Sequence, residues 1–382
     1  MNYMIEQIHS LPELLNQIFQ PLDDTIRQKL DHELCLSLKR LYVVGCGDSH
    51  HASLSTELAF ESLTRLPDDP MASMLFGRYA AGFIPQSGPK TNLVIGISVS
   101  GAVSRTAEAL RMGGQAGATT VALTATPDSI VGKAAKIILD VPVPEFPSPE
   151  GMVIPGVRSY FTSQVGLFLI AIRIAEIRGQ LNNSQAAELR AEIRGFADLA
   201  SKTIEDCDPI AKQAAQEWAG EEEFVFAGSG PNYATALFTA AKVLEASGDS
   251  ALGQDVEEWA HLQYFAKKKS TPTLFISAGD RDLSRAVEMA VAAKQLGRLV
   301  GVISPKSAAG LTKYADHHFP IPEVKEMFSP LITAIPGELF AAYLSEVKKE
   351  PFFRDFKDGR SIEGGGGISR IRTSETWENW KK

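Results

Sequence analysis

Leu41-Tyr-Val-Val-Gly45-Cys-Gly47-Asp48-Ser49 and, further along, Leu93-Val-Ile-Gly-Ile97-Ser98-Val99-Ser100-Gly101 decide the fold. Each is a short apolar run that ends in glycine and serine and is followed by a segment of helical period. A strand that passes through a glycine turn into a helix is half of a βαβ unit, so two in succession predict a parallel sheet covered by helices. The same landmarks return about 180 residues later. Phe224-Val-Phe-Ala-Gly228-Ser-Gly230 matches the first and Leu274-Phe-Ile-Ser277 the second. A third pair sets Val121-Ala-Leu, followed by Pro127-Asp-Ser129, beside Val300-Gly-Val, followed by Pro305-Lys-Ser307. Because the order is kept, the expected fold class is α/β with two tandem domains.

Working outward, amphipathic helices are expected over Thr106–Gln115 and Leu283–Leu296, and the polar stretch Leu181–Trp218 reads as a helical connection. The expected organisation is a helical segment at 1–24, a first domain at 25–180, a linker at 181–218, a second domain at 219–348 and a tail at 349–382. The tail carries four successive glycines, Gly364 to Gly367, read as a linker or as a loop that approaches a ligand closely. With 382 residues, 44% hydrophobic and 22% charged, the chain fits neither a disordered nor a collagen-like class. Its 38 basic and 46 acidic residues leave a net charge of -8, which opposes nucleic acid and anionic membrane surfaces as general partners. Cys35, Cys46 and Cys207 are odd in number and lack CxxC spacing, so neither a disulfide framework nor a metal site is expected, and the compartment reads as reducing cytoplasm. The apolar run Val165 to Ile172 meets Arg173 well short of the ~20 residues of a membrane span. The opening MNYMIEQIHSLPELL lacks the pattern of a signal peptide.

Ligands of open parallel sheets bind at the carboxyl ends of strands, beside the first turn of the next helix. The informative residues therefore follow Val44, Ile97, Ala227 and Ser277. Ser98-Val99-Ser100-Gly101, with Ser104 opening the helix, gathers hydroxyls and backbone N–H groups where a helix N-terminus favours an anion. Gly47 and Ser49 add a second turn and hydroxyl at the same edge. Taken alone, Ser98 and Ser100 are also ordinary turn and cap residues. The competing dinucleotide reading of the Gly45 turn fails at the third glycine, where His50 stands. Ser277-Ala-Gly-Asp280 lacks the hydroxyl pair, so one phosphate site per chain is expected. The adjacent pairs His50-His51 and His317-His318 point in different directions and make poor metal ligands. No cofactor is expected.

The succession strand, GCGDS, helix, strand, SVSG, helix resembles the sugar isomerase (SIS) domain, a flavodoxin-like, doubly wound αβα sandwich. Two in tandem resemble the isomerase half of glucosamine-6-phosphate synthase and the fructosamine-6-phosphate deglycases. Lys242-Val-Leu-Glu245 and Glu258-Trp-Ala-His261 are similar to that family's KxxE and GExxHGP segments at the family's own separation, and Phe161-Thr162-Ser163-Gln164, opening a long helix, resembles the family's segment after the last strand of the first domain. The resemblance implies that Glu245 moves the sugar proton and His261 opens the ring. It also implies that Ser49, Ser98 and Ser100 hold a 6-phosphate, that Glu258 takes the place of the family glutamate, and that His261 comes from a neighbouring subunit of a homodimer or higher closed oligomer. Outside that context, Glu245 reads as a solvated helix-end acid, His261 as a surface histidine, and Glu257 with Glu258 as a charged helix face. There are departures. Leu-Gln follows His261 in place of Gly-Pro, Val103 stands where a hydroxyl is common, and Arg370 is nearest to the tail lysine of the synthase, where an arginine does not readily form an imine. The opening Met1-Asn2 lacks the synthase's cysteine, so glutamine-dependent amination is not expected of this chain alone.

Moving a proton between C1 and C2 of an open-chain sugar requires one base that accepts and returns it, and a carboxylate near neutral pKa suits that task. A histidine titrates in the range needed to protonate a ring oxygen. The expected function is a phosphosugar isomerase-type enzyme on an aminated sugar 6-phosphate, acting as deglycase, deaminase or aldose-ketose isomerase. The alternative is a non-catalytic sugar-phosphate-binding regulatory module.

Overall fold

A computed structural model describes residues 2–360 and 374–376. Strands β1 (Arg40–Gly45), β2 (Asp68–Ala72), β3 (Asn92–Ile97), β4 (Thr119–Thr124) and β5 (Ile137–Asp140) form one parallel sheet in the order β2-β1-β3-β4-β5. Strands β6 (Glu223–Gly228), β7 (Ser250–Gln254), β8 (Thr273–Ile276), β9 (Val300–Pro305) and β10 (His317–Ile321) form a second in the order β7-β6-β8-β9-β10. This is the same doubly wound order twice, and it is the architecture read from the repeat. β3, β4 and β9 are buried at every position, as strands covered on both faces must be.

The helices Ser104–Gln115 and Leu283–Leu296 stand where the sequence pattern places them. Their apolar faces, with Ala107 and Leu110 in one case and Ala286 and Ala290 in the other, join the cores built on Val94 and on Phe275. The turn between first strand and first helix is also duplicated. Gly47 (φ 55°, ψ −127°) and Gly230 (φ 54°, ψ −129°) take a backbone conformation open to glycine, which lets each helix start directly beyond its strand.

Two compact units result. Among the described residues, one gathers 2–13, Glu145–Arg158 and Gly195–Asp355 around the second sheet, and the other Leu14–Pro144, Ser159–Arg194, 356–360 and 374–376 around the first. In the unit of the second sheet, Asn2 caps the helix Tyr3–His9 and donates from Nδ2 to the Ala342 carbonyl at 2.8 Å. The connection expected over 181–218 is the helix Asn183–Glu217.

Val165–Ile172 does not end at Arg173. The helix runs on as Arg158–Ile177, because Arg173 donates to the carbonyls of Leu30 and Arg27 at 3.3 and 3.2 Å, so its charge is held inside the protein. That helix is long and apolar enough to cross a membrane, with mean hydropathy 1.4, and 83% of its apolar stretch is buried in protein. All three cysteines are free, with Cys35 and Cys207 buried.

Candidate functional site

The direction of winding reverses between β1 and β3, the place where doubly wound sheets bind ligands. Their register sets Val44 opposite Gly96, so the Gly47–Ser49 and Ser98–Gly101 loops leave the sheet side by side. Ser49 is half-buried on the first turn of the helix Asp48–Thr64. Ser98 is 2% exposed, and its hydroxyl has no hydrogen-bond partner. A buried hydroxyl left in that state costs free energy, which a hydrogen-bonding oxygen brought to it would offset.

The loop around Ser98 is firmly held. The Val99 carbonyl accepts from the Ala125 amide at 3.1 Å, and the Gly101 amide donates to the Ser98 carbonyl at 2.9 Å. Gly101 has φ +66°, and a Cβ there would lie 2.1 Å from Ser129 Oγ, so both conformation and space demand glycine. Ser100 is exposed and Ser104 buried. Val103 occupies the cap of the helix and its side chain caps no amide; the Thr106 amide donates to the Val103 carbonyl at 3.1 Å, and the Ser104 and Arg105 amides before it are the ones placed to meet an anion. A cleft of about 810 Å³ opens beside this loop, lined by Ser100, Gly101, Ser104, Arg111, Ser129 and Ser374 among others.

Sequence reasoning missed the charged lattice under the cleft. Glu108, 1% exposed, holds Arg78 at 2.7 Å and Arg105 at 2.5 Å, and Arg105 also donates to the carbonyls of Ser374, at 3.2 Å, and Glu375. The Arg105–Glu108 spacing of three on a helix was the available signal. His50, on the first turn after Gly47, is held below its ordinary pKa by burial and is a neutral ring at neutral pH.

In the other unit, Glu245 lies on the last turn of the helix Pro231–Ala246, with Oε2 2.5 Å from the buried Lys242 ammonium. His261 ends the short helix Val256–His261. Its side chain is 66% exposed and its Nε2 is 3.1 Å from Glu257, whose carboxylate Arg285 and His261 hold below the usual range. Glu258 is exposed. β7, the edge strand of the second sheet, begins just after Glu245 and ends just before His261, so the two candidates belong to helices that enter and leave opposite ends of that strand. Arg370 and Gly364–Gly367 lie outside the described residues. Among the described residues, no group of three or more His, Cys, Asp or Glu is arranged to hold a metal.

The family profile described as the SIS domain matches residues 36–169, the stretch that contains β1 through β5. Over 359 residues the chain is 29% identical to glutamine–fructose-6-phosphate aminotransferase (isomerizing) of Gloeobacter violaceus, covering 90% of this chain and 56% of that protein. The chain thus spans little more than half the length of this relative. Among solved structures it is similar to the C-terminal domain of glucosamine-fructose-6-phosphate aminotransferase from Francisella tularensis, with TM-score 0.76, 19% identity, and 91% and 96% of the two chains covered. It is also similar to glucosamine-6-phosphate deaminase from Thermotoga maritima, with TM-score 0.63, 17% identity, and 90% and 97% covered. At these identities the two structures speak to fold. The strand order, the repeated glycine turn and the profile match converge on one statement: this is an α/β protein that carries a SIS domain at residues 36–169 and repeats the same doubly wound sheet in its second half.

Proposed function

We propose that the chain is a phosphosugar isomerase-type enzyme acting on an aminated sugar 6-phosphate, and that it releases or rearranges the amine through proton transfer between C1 and C2. The observation that carries this reading is the buried, unpartnered Ser98 hydroxyl in an uncapped helix-entry loop at the β1/β3 crossing. Ser98, Ser100, Ser104 and the neighbouring Gly47–Ser49 turn would hold the 6-phosphate. Glu245 would take the proton from one carbon of the open-chain amino sugar and return it to its neighbour through an enaminol, which leaves the nitrogen-bearing carbon as an imine. His261 would protonate the ring oxygen. Loss of the amine consumes one water at the resulting imine carbon.

Glu245 and His261 flank opposite ends of β7, and on this reading a complete centre draws its histidine from a second copy of the chain. The surface around His261 suits such a partner: Leu262 and Phe265, its near neighbours, are 58% and 75% exposed. The same separation favours a second reading, a sugar-phosphate sensor that binds without turnover. Incubation with glucosamine 6-phosphate and a panel of ketosamine 6-phosphates, with released hexose phosphate and amine followed by mass spectrometry, tests the enzyme reading. Glu245→Gln should lower turnover about 10²- to 10⁴-fold with ligand affinity little changed. Binding without turnover of any panel member, in wild type and variant alike, favours the sensor.

A further inference from the structure

The anion cradle of the first sheet has a counterpart in the second, and the two differ at the helix cap. Ser98 follows β3, and Val103 caps the helix Ser104–Gln115; Ser277 follows β8, and Asp282 stands at the same distance, capping the helix Leu283–Leu296. Both serines are buried. Ser98 Oγ has no partner, whereas Ser277 Oγ donates to Asp282 Oδ1 at 2.6 Å and accepts from the Gly279 amide at 3.0 Å. The Asp282 side chain makes no cap bond to its own helix. It is turned back into the strand-end loops, 8% exposed, with Oδ2 lacking a close hydrogen-bond partner.

Burial lifts the Asp282 carboxyl above its ordinary range, and the hydrogen bonds from Ser277 and from the amides of Asp282 and Ser229 work against that rise in favour of the charged form. Ser229 lies between Gly228 and Gly230, in the turn that corresponds to Gly45-Cys46-Gly47 of the first unit. The carboxylate thus sits between the loops after β6 and β8, where a bound anion would sit between the loops after β1 and β3. The acidic residues Asp255 and Asp280 and the Arg281–Glu326 pair, at 3.4 Å, share its surroundings. A free dianion meets repulsion there as well as occupied donors.

We propose that Asp282 is a built-in anion that fills the second cradle, so that the residue at this helix-cap position decides which half of the chain accepts a phosphate group. The open half of this proposal rests on the phosphate reading of Ser98, and the closed half does not. Reciprocal substitutions test both, with inorganic phosphate as the probe and binding followed by calorimetry. In a Ser98→Ala/Ser100→Ala background, Asp282→Val should create a phosphate site about tenfold or more tighter than the background shows. In the wild-type background, Val103→Asp should weaken phosphate binding about tenfold or more, and Val103→Asn, which has similar bulk and no charge, should weaken it less.

A folded Asp282→Val protein with no gain in phosphate binding overturns the closed half. Val103→Asp with wild-type affinity overturns the open half. If Ser98→Ala/Ser100→Ala binds phosphate as well as wild type does, the phosphate reading fails and the open half with it, while the Asp282 result still decides the closed half. Should Asp282→Val be unstable, formate or phosphate at ~50 mM should raise its Tm by about 2 °C or more beyond the wild-type response. Absence of that rescue overturns the proposal equally.

Discussion

Ser98→Ala and Ser277→Ala remove the same atom from corresponding loops, and they should move stability in opposite directions. The Ser98 hydroxyl is 2% exposed and has no partner. An unsatisfied buried hydroxyl costs about 1–3 kcal/mol, so its removal should stabilise the free protein by about 1 kcal/mol once the small void left behind is allowed for. For a unit of this size that is a Tm rise of about 2–4 °C. The Ser277 hydroxyl has two partners, the Asp282 carboxylate at 2.6 Å and the Gly279 amide at 3.0 Å. A hydrogen bond to a charged group contributes about 1.5–3 kcal/mol, and its loss strands a buried carboxylate, so Ser277→Ala should lower Tm by about 3–12 °C. Ligand binding reverses the ranking. Ser98→Ala should weaken sugar-phosphate affinity about 10- to 100-fold, and Ser277→Ala should leave it nearly unchanged. Scanning calorimetry and titration calorimetry on the same samples read both effects. If the two variants lower Tm alike and neither alters phosphate affinity, the distinction between an open and a filled cradle is wrong.

Mixing inactive Ser98→Ala/Ser100→Ala protein with inactive His261→Ala protein should restore activity if each centre draws on two copies, because an exchanged heterodimer contains one intact set. An active species that sediments as a monomer, or no rescue despite demonstrated exchange, rejects the shared centre and leaves the fold untouched. A third expectation concerns Asp68, buried on β2, where burial first and then the charges of Glu57, Asp69 and Glu61 push its carboxyl well above the usual range. The folded state therefore holds that proton more tightly than the unfolded chain does, so this residue's contribution declines as pH rises from about 4 toward its raised pKa. Asp68→Asn should raise Tm at pH 7 and flatten that decline; an unchanged pH profile rules out Asp68 as its source.

The repeat carried most of the fold. Two strand–glycine–helix successions in the same order were enough to place β1, β3, β6 and β8, and the helix Leu283–Leu296 was legible to the residue because its period and its following glycine are both local signals. The Ser98 loop was legible for the same reason: its hydroxyls are adjacent in sequence. What stayed hidden depends on three-dimensional closure. Arg78 reaches Glu108 from a different element, so no local pattern announces the pair. Asp282 carries no signal of its own in the sequence, and its turn toward Ser277 becomes apparent only in the fold. The motif spacing of Glu245 and His261 was readable, whereas the strand β7 that lies between them becomes apparent only in the fold.

Asn2 donates to the carbonyl of Ala342 across 340 residues of chain, and that single contact bears on how the protein is made. The first sheet, with its covering helices, can close as soon as the stretch to Arg194 has left the ribosome, since its strands and the apolar helix Arg158–Ile177 are synthesised in sequence. The second unit has no such freedom. The helix Tyr3–His9 is produced early and must wait, its buried Met4 and Ile8 uncovered, until the helix Pro330–Lys348 exists to receive them. A contact of such sequence separation comes late in folding. Synthesis therefore runs with an interval in which one half is finished and an apolar segment belonging to the other hangs from it, so holdase chaperones have their natural point of action there.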